Sequence, residues 1–209
     1  MANNVSSFAH PELLVAPAAL ADRLRDDELA GRQAPVLLDV RPAEAFAAGH
    51  VSGSVHIDLW GVSLIDSDPA PLRAFLWMIH HLLAQRGIRD DRPVVLVDQV
   101  SGLRAARAFW FLEFFGHRHV SVLDGGADAW IHAGLPLSTL TEAAVPAAWS
   151  EEHRPDLLAT WQDVLARLEQ TGVVLIDTRT TEEYTGQLVR ARRGGTIPGS
   201  VHIEWTRNL

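Results

Sequence analysis

The sequence lacks cysteine altogether, since none of its 209 residues is one. This absence excludes disulfide bonds, thiolate metal sites and cysteine nucleophiles from the chain. Apolar runs long enough for a membrane-spanning helix are also missing, and the amino terminus has no basic segment followed by an apolar one. We therefore expect no membrane contact and a cytoplasmic location.

Basic residues are also few. The chain has 18 lysine and arginine residues and 26 aspartate and glutamate residues, which gives a formal net charge of −8. No basic stripe offsets this charge, so we do not expect nucleic acid as a partner. The one basic run, at Arg190, Arg192 and Arg193, adjoins two glycines and predicts a solvated loop, with anion binding as the alternative. Apolar residues make up 47% of the chain, which indicates a packed globular protein.

Two blocks of sequence occur twice, in the same order. The first block reads VLLDVRPAEAF from Val36 and VLIDTRTTEEY from Val174, and the second reads GHVSGSVHID up to Asp58 and GTIPGSVHIE up to Glu204. The later copy carries eight additional residues between the blocks, around 187–194. The distance between the copies is that of a compact domain, which indicates a tandem duplication.

The two copies differ in how far they continue. The first runs on for about 80 residues after its second block, whereas the second ends at Leu209. We therefore expect one complete domain over residues 10–140 and a truncated, amino-terminal part of a second domain over residues 156–209. The second part would expose strand edges and an apolar face. Prolines and acidic residues in 140–155 predict a linker between the two.

Periodicity predicts alternating strands and helices. Four short β-branched runs predict buried strands, namely Val36–Asp39, 55–57, Val94–Val97 and Val120–Leu123. Apolar residues at helical spacing predict helices over 72–85 and 103–115, and in the second copy a helix over 161–169 precedes a strand over 173–177. The pattern predicts an α/β fold with a mostly parallel sheet flanked by helices. Ligands of such sheets bind beyond the carboxyl ends of strands.

Several motifs carry a resemblance to a known family. The segments VLLDVRPAEAFAAGHVSGSVHIDL, VVLVD, RAARAFWFLEFFGH and VSVLDGGADAWIHAGLP resemble the first domain of tandem rhodanese-like sulfurtransferases. The segments VLIDTRTTEEYTG and RRGGTIPGSVHIEW resemble the opening half of the second domain. The resemblance implies transfer of sulfane sulfur from a small anionic, thiosulfate-like donor to a thiophilic acceptor, with no cofactor and no metal.

The resemblance also implies where the active loop would lie. In two-domain members the catalytic cysteine begins a loop in the second domain whose backbone N–H groups hold a persulfide, and the first domain usually has an acidic residue there. The non-catalytic counterpart in this chain comprises Asp98, Gln99, Val100, Ser101, Gly102, Leu103 and Arg104. A carboxylate cannot attack sulfane sulfur and would repel an anionic donor. We therefore assign no catalytic residue and expect the chain to be inactive.

Three more residues are candidates for a substrate cleft. Asp58 matches an aspartate that mercaptopyruvate-type relatives are thought to place there, Arg179 completes the second Asp-x-Arg motif, and Glu183 stands near a donor-binding arginine of some members. A structural ion pair with Asp177 is the favoured role of Arg179, and Thr196 stands where a histidine is common. The alternative to a sulfurtransferase is a non-catalytic binding or regulatory module of the same fold.

Overall fold

The structure is a computed structural model that describes residues 9–150 and 152–208. The chain divides into two compact units, Met1–Leu158 (unit 1) and Ala159–Leu209 (unit 2), and each is described by itself. Within the described residues, no helix combines the length and apolar character that crossing a bilayer requires.

Unit 1 is built on a parallel sheet of five strands with the order β1-β5-β4-β2-β3. Its strands are β1 (Leu14–Val15), β2 (Val36–Asp39), β3 (Ser54–His56), β4 (Val94–Val97) and β5 (Val120–Leu123). The helices that alternate with them are α1 (Pro17–Leu29), α2 (Ala43–Ala48), α3 (Pro69–Ala84), α4 (Leu103–Phe114) and α5 (Gly126–His132). Short 3-10 turns lie at Pro11–Leu13 and Pro155–Leu157.

Most of these strands and helices lie where the sequence predicts them. The strands β2, β4 and β5 have the predicted bounds, and both ends of β3 lie one residue earlier than predicted. Helix α3 begins at Pro69, because proline fits the first helical position, where no N–H partner is needed. Helix α1 was not predicted, and the reason is its composition: only Leu20 and Asp27 of its 13 residues are buried. So little burial leaves a weak apolar pattern to recognise.

Alternate residues of the central strands supply two cores, one on each face of the sheet. On one face, side chains such as Leu38 and Leu96 pack with α3 and α4. On the other, Leu37 and Val95 pack with Leu20 of α1 and with residues of α5. Burial on both faces explains why β4 is apolar along its whole length and why β2 is apolar up to Asp39 at its carboxyl end. Their carboxyl ends share one edge of the sheet.

The segment expected to be a linker is packed against unit 1 instead. This strap (residues 140–150 and 152–158) is anchored by Trp149, which is 7% exposed and stacks on His80 with ring centroids 4.7 Å apart. The indole also meets Phe115 edge-on at 5.6 Å. The Ala147 N–H donates to the Ala84 carbonyl over 3.0 Å. The prolines predict an interruption of secondary structure correctly, but one large aromatic side chain is enough to bury such a segment.

Unit 2 contains α6 (Trp161–Arg167), β6 (Ile176–Asp177), α7 (Thr181–Thr185), β7 (Val201–His202) and a final 3-10 turn, Trp205–Asn208. The strands β6 and β7 pair in parallel. Helix α6 ends two residues before the end of the helix predicted over 161–169. Of the strand predicted over 173–177, only the last two residues form a strand, β6. Apolar residues near these strands are exposed, with values of 67% for Val174 and 56% for Ile176. Two short strands cannot cover their own apolar side chains.

Replacing the strap anchor should destabilise unit 1. We expect Trp149→Ala to lower the free energy of unfolding by about 3–5 kcal/mol, because a buried indole would leave a cavity. Urea denaturation followed by circular dichroism measures this change. The matched control is Trp77→Ala on α3, where the side chain is 61% exposed and the expected loss is below about 1 kcal/mol. Equal losses for the two variants would contradict the assignment of the strap to unit 1.

Candidate functional site

The loop between β4 and α4 is organised around Asp98, whose side chain lies at the carboxyl edge of the sheet and is 5% exposed. Its Oδ1 accepts a hydrogen bond from the Gln99 backbone N–H over 2.7 Å. Its Oδ2 accepts from the backbone N–H groups of Arg104 and Ala105, each over 3.1 Å. These last two groups belong to the first turn of α4, whose N-cap residue, Gly102, has no side chain to cap them. Asp98 therefore caps α4 from outside the helix.

This capping has a direct consequence for anion binding. The N–H groups at the start of a helix, together with the helix dipole, form a favourable position for negative charge. In unit 1 that position is taken by the carboxylate of the chain itself, at the loop that the sequence analysis selected. The three N–H groups that Asp98 occupies are not free to bind a sulfur anion. The sequence predicts that this carboxylate repels an anionic donor, and the structure shows in addition that it accepts from the N–H groups at the start of the helix.

The Leu-Asp-Gly-Gly motif, residues 123–126 from the end of β5 to the start of α5, contacts this loop through backbone hydrogen bonds. The Asp98 carbonyl accepts a hydrogen bond from the Ala127 N–H over 2.8 Å. The Ser101 hydroxyl oxygen accepts from the Gly125 N–H over 2.6 Å. A Cβ at Gly126, where φ is +59°, would lie 2.4 Å from the Asp98 carbonyl oxygen, so only glycine allows this approach. Ser101 therefore has a structural role in the loop.

The outer side of the loop brings together two of the predicted site residues. Arg104 donates to the Asp58 carboxylate over 2.6 Å, and its guanidinium lies 5.4 Å from the ring centre of Trp60. Val100 is 52% exposed, and Gln99 donates to an acidic side chain of α5. The Arg104 charge is thus already paired. No group of three or more histidine and acidic residues suited to a metal ion occurs in the part of the chain that the structure describes.

A buried ion pair closes the neighbouring loop after β2. Arg41 donates to the Asp39 carboxylate over 2.7 Å, and their side chains are 4% and 0% exposed. The same guanidinium donates to the Gly49 carbonyl over 2.8 Å, which ties the end of β2 to the turn before β3. The His56 imidazole contacts the Arg41 carbonyl over 2.8 Å. This pair in unit 1 was not predicted, although the repeated Asp-x-Arg motif was the signal for it.

Unit 2 repeats these contacts in a more exposed setting. Arg179 donates to the Asp177 carboxylate over 2.6 Å and to the Gly195 carbonyl over 2.8 Å, and its side chain is 45% exposed. Hydrogen bonds from Arg179, followed by one from Thr196, hold the pKa of Asp177 far below its usual value. His202 contacts the Arg179 carbonyl over 2.9 Å. Arg179 thus has the structural ion pair that its sequence position predicted.

Glu183 is engaged within unit 2 as well. Its carboxylate takes part in a capping box with Thr180 at the start of α7. It also forms an ion pair with Arg190 over 2.8 Å, in the segment that the second copy has in addition. The structure therefore places Asp58 at the loop of unit 1, while Arg179 and Glu183 belong to local networks in unit 2.

Comparison with known proteins matches this architecture to a family. The profile of the rhodanese-like domain matches residues 17–133 and 160–209, which is most of the chain. The chain belongs to the rhodanese-like domain family. The thiosulfate sulfurtransferase of Azotobacter vinelandii is 33% identical to it over 205 residues, covering 97% of this chain and 72% of the relative. The thiosulfate sulfurtransferase of Pseudomonas aeruginosa is 30% identical over 210 residues, covering 98% and 73%.

Solved structures support the same fold. The structure of SseA from Escherichia coli, a 3-mercaptopyruvate sulfotransferase, has a TM-score of 0.72 at 23% identity and covers 93% of this chain and 75% of that chain. The structure of a probable thiosulfate sulfurtransferase has a TM-score of 0.65 at 30% identity, covering 81% and 69%. The rhodanese-like resemblance and the α/β fold predicted from the sequence are therefore confirmed.

The two Asp-x-Arg motifs offer a matched test of burial. We expect Arg41→Met to lower the free energy of unfolding by about 3–5 kcal/mol, because the buried Asp39 carboxylate would lose its partner. The equivalent change Arg179→Met should cost about 1 kcal/mol or less, because the exposed arginine is solvated in either state. Thermal and urea unfolding of both variants measure the difference. A larger loss for Arg179→Met than for Arg41→Met would contradict this ranking.

Proposed function

We propose that this chain is the non-catalytic part of a thiosulfate-type sulfurtransferase that consists of tandem rhodanese-like domains. Residues 10–140 would form the first domain, and residues 156–209 would correspond to the amino-terminal part of the second. The substrate class is a small anionic sulfur donor, in keeping with the relatives named thiosulfate sulfurtransferases. The observation that carries the proposal is the Asp98 carboxylate, which occupies the N–H groups at the start of α4.

The chemistry of sulfur transfer explains why Asp98 makes unit 1 non-catalytic. A thiolate attacks the outer sulfur of thiosulfate, the S–S bond breaks, and sulfite leaves with the bonding electrons. An acceptor such as cyanide then attacks the outer sulfur of the persulfide, forms thiocyanate and returns the thiolate. A carboxylate is a poor nucleophile toward sulfur, and no cysteine occurs among the 209 residues. Sulfur transfer would therefore need a thiol that this chain does not supply.

The surroundings of Asp98 support a structural rather than a chemical role. Each carboxylate oxygen accepts at least one backbone N–H, so the side chain is held rigidly beside α4. The rim cation, Arg104, is paired with Asp58 and is not directed toward a free anion. The loop thus presents N–H groups as an anion site would, but the Asp98 carboxylate already accepts from them and the Arg104 charge is already paired with Asp58.

A thiol placed at the same position tests this proposal directly. We expect the unmodified chain to form no thiocyanate from thiosulfate and cyanide. We expect Asp98→Cys to gain one sulfur atom after incubation with thiosulfate, and to lose it to cyanide, because the thiol would begin a loop that presents the same N–H groups. Intact-mass spectrometry and a colorimetric thiocyanate assay measure both steps. Asp98→Ser is the matched control, since it removes the carboxylate without adding a thiol.

Two outcomes would contradict the proposal. Sustained thiocyanate production by the unmodified chain would show that a persulfide is not needed for its activity. A folded Asp98→Cys variant that never acquires sulfur would show that the loop does not hold a persulfide. The second outcome would instead favour a binding or regulatory module, the alternative use of a rhodanese-like fold without cysteine.

A further inference from the structure

A second site lies away from the loop after β4. A cavity of about 410 Å³ opens between the amino-terminal half of α3, the middle of α4 and the strap. Its walls are mostly apolar and include Leu72 and Phe75 from α3, Trp110 and Phe111 from α4, and Leu158 from the strap. No residue of the loop 98–104 lines it. Its volume falls within the range of about 300–1,000 Å³ that is typical of small-molecule sites.

One charged side chain, that of Arg107, is part of this apolar wall. Its Nη2 donates to the Val62 carbonyl, and its guanidinium carbon lies 5.7 Å from the ring centre of Phe111. Its Nε is buried and has no hydrogen-bond partner among the residues that the structure describes. None of the ion pairs found among residues 9–150 and 152–208 includes Arg107. In the described chain, therefore, no carboxylate lies within ion-pair distance of this guanidinium.

This arrangement is costly for the folded chain by itself. Burial lowers the pKa of Arg107, which shows that its environment disfavours the charged form. The positive charge persists because an arginine remains protonated under all ordinary conditions. A planar guanidinium is suited to a carboxylate, which accepts hydrogen bonds from it and supplies a negative charge beside it. An anionic group that enters the cavity would recover part of that cost.

We infer that this cavity binds a small molecule with an apolar body and a carboxylate group. The aromatic and aliphatic walls would receive the body, and the Arg107 guanidinium would receive the carboxylate. The walls disfavour a bare inorganic anion, because it would lose its hydration without gaining enough polar contacts. The uncompensated guanidinium disfavours a cationic ligand, and a neutral ligand would forgo the charge pairing. The inference is independent of sulfur transfer, since Asp98 takes no part in the cavity.

Isothermal titration calorimetry on the full chain tests the ligand class. The probes are octanoate and 3-phenylpropanoate, which share the carboxylate but differ in the body, with octanamide as the neutral counterpart and acetate as the anion without a body. We expect at least one of the two larger acids to bind with one molecule per chain. Octanamide should bind about tenfold more weakly or worse, and acetate should give no measurable heat. The tighter of the two acids identifies a linear or an aromatic body.

Three variants connect this binding to the cavity. We expect Arg107→Gln to weaken binding of the preferred acid by about tenfold or more. Arg73→Gln is the matched control, because it removes one positive charge from an exposed position of α3 outside the cavity, and should leave affinity within about twofold. Leu72→Trp should abolish binding by filling the space while Arg107 is retained. Thermal melting confirms that each variant is folded.

Clear results would overturn the inference. Binding of neither acid by the folded chain would do so, as would equal affinity for octanoate and octanamide. Unchanged affinity in Arg107→Gln, or an equal loss in Arg73→Gln, would show that the carboxylate does not meet this guanidinium. Because the loop at Asp98 is unaltered in these variants, none of these results bears on the sulfurtransferase proposal.

Discussion

The site of unit 1 depends on one set of contacts, the hydrogen bonds that the Asp98 carboxylate accepts from three backbone N–H groups. Two of these N–H groups, those of Arg104 and Ala105, belong to the first turn of α4, whose N-cap residue Gly102 has no side chain to accept from them. The backbone carbonyl of Asp98 accepts from the Ala127 N–H, a close approach of α5 that the glycine at position 126 allows. One side chain thus stabilises the fold and removes the anion site that the same backbone would otherwise offer.

The two units show how one local motif behaves in different surroundings. In each Asp-x-Arg motif the arginine pairs with the aspartate two residues earlier and also donates to a glycine carbonyl, that of Gly49 in unit 1 and that of Gly195 in unit 2. In unit 1 the strand β2 lies between β3 and β4, so the pair is buried. In the described part of unit 2, the strand β6 pairs with β7 alone, and Arg179 is exposed. The geometry of the motif is therefore determined by nearby residues, whereas its contribution to the free energy of unfolding depends on how far the surrounding sheet buries it.

Much of the fold could be predicted from the sequence, because buried parallel strands are short β-branched runs and helices α3 and α4 have apolar residues at helical spacing. The internal repeat and the position of Asp98 were also evident from the sequence. Helix α1 was missed because it buries few residues, and the packing of the strap was not predicted because the burial of Trp149 depends on partners distant in sequence. The cavity at Arg107 could not be predicted either, since it forms where the loop after β3, helices α3 and α4 and the strap meet.

The most direct test of the account follows the backbone amides of Gln99, Arg104 and Ala105 by NMR while thiosulfate is added to the unmodified chain. If the Asp98 carboxylate already holds these N–H groups, their signals should show no saturable shift. Saturable shifts confined to these three amides would mean that an external anion binds there, and the account of a site filled by the chain itself would be contradicted.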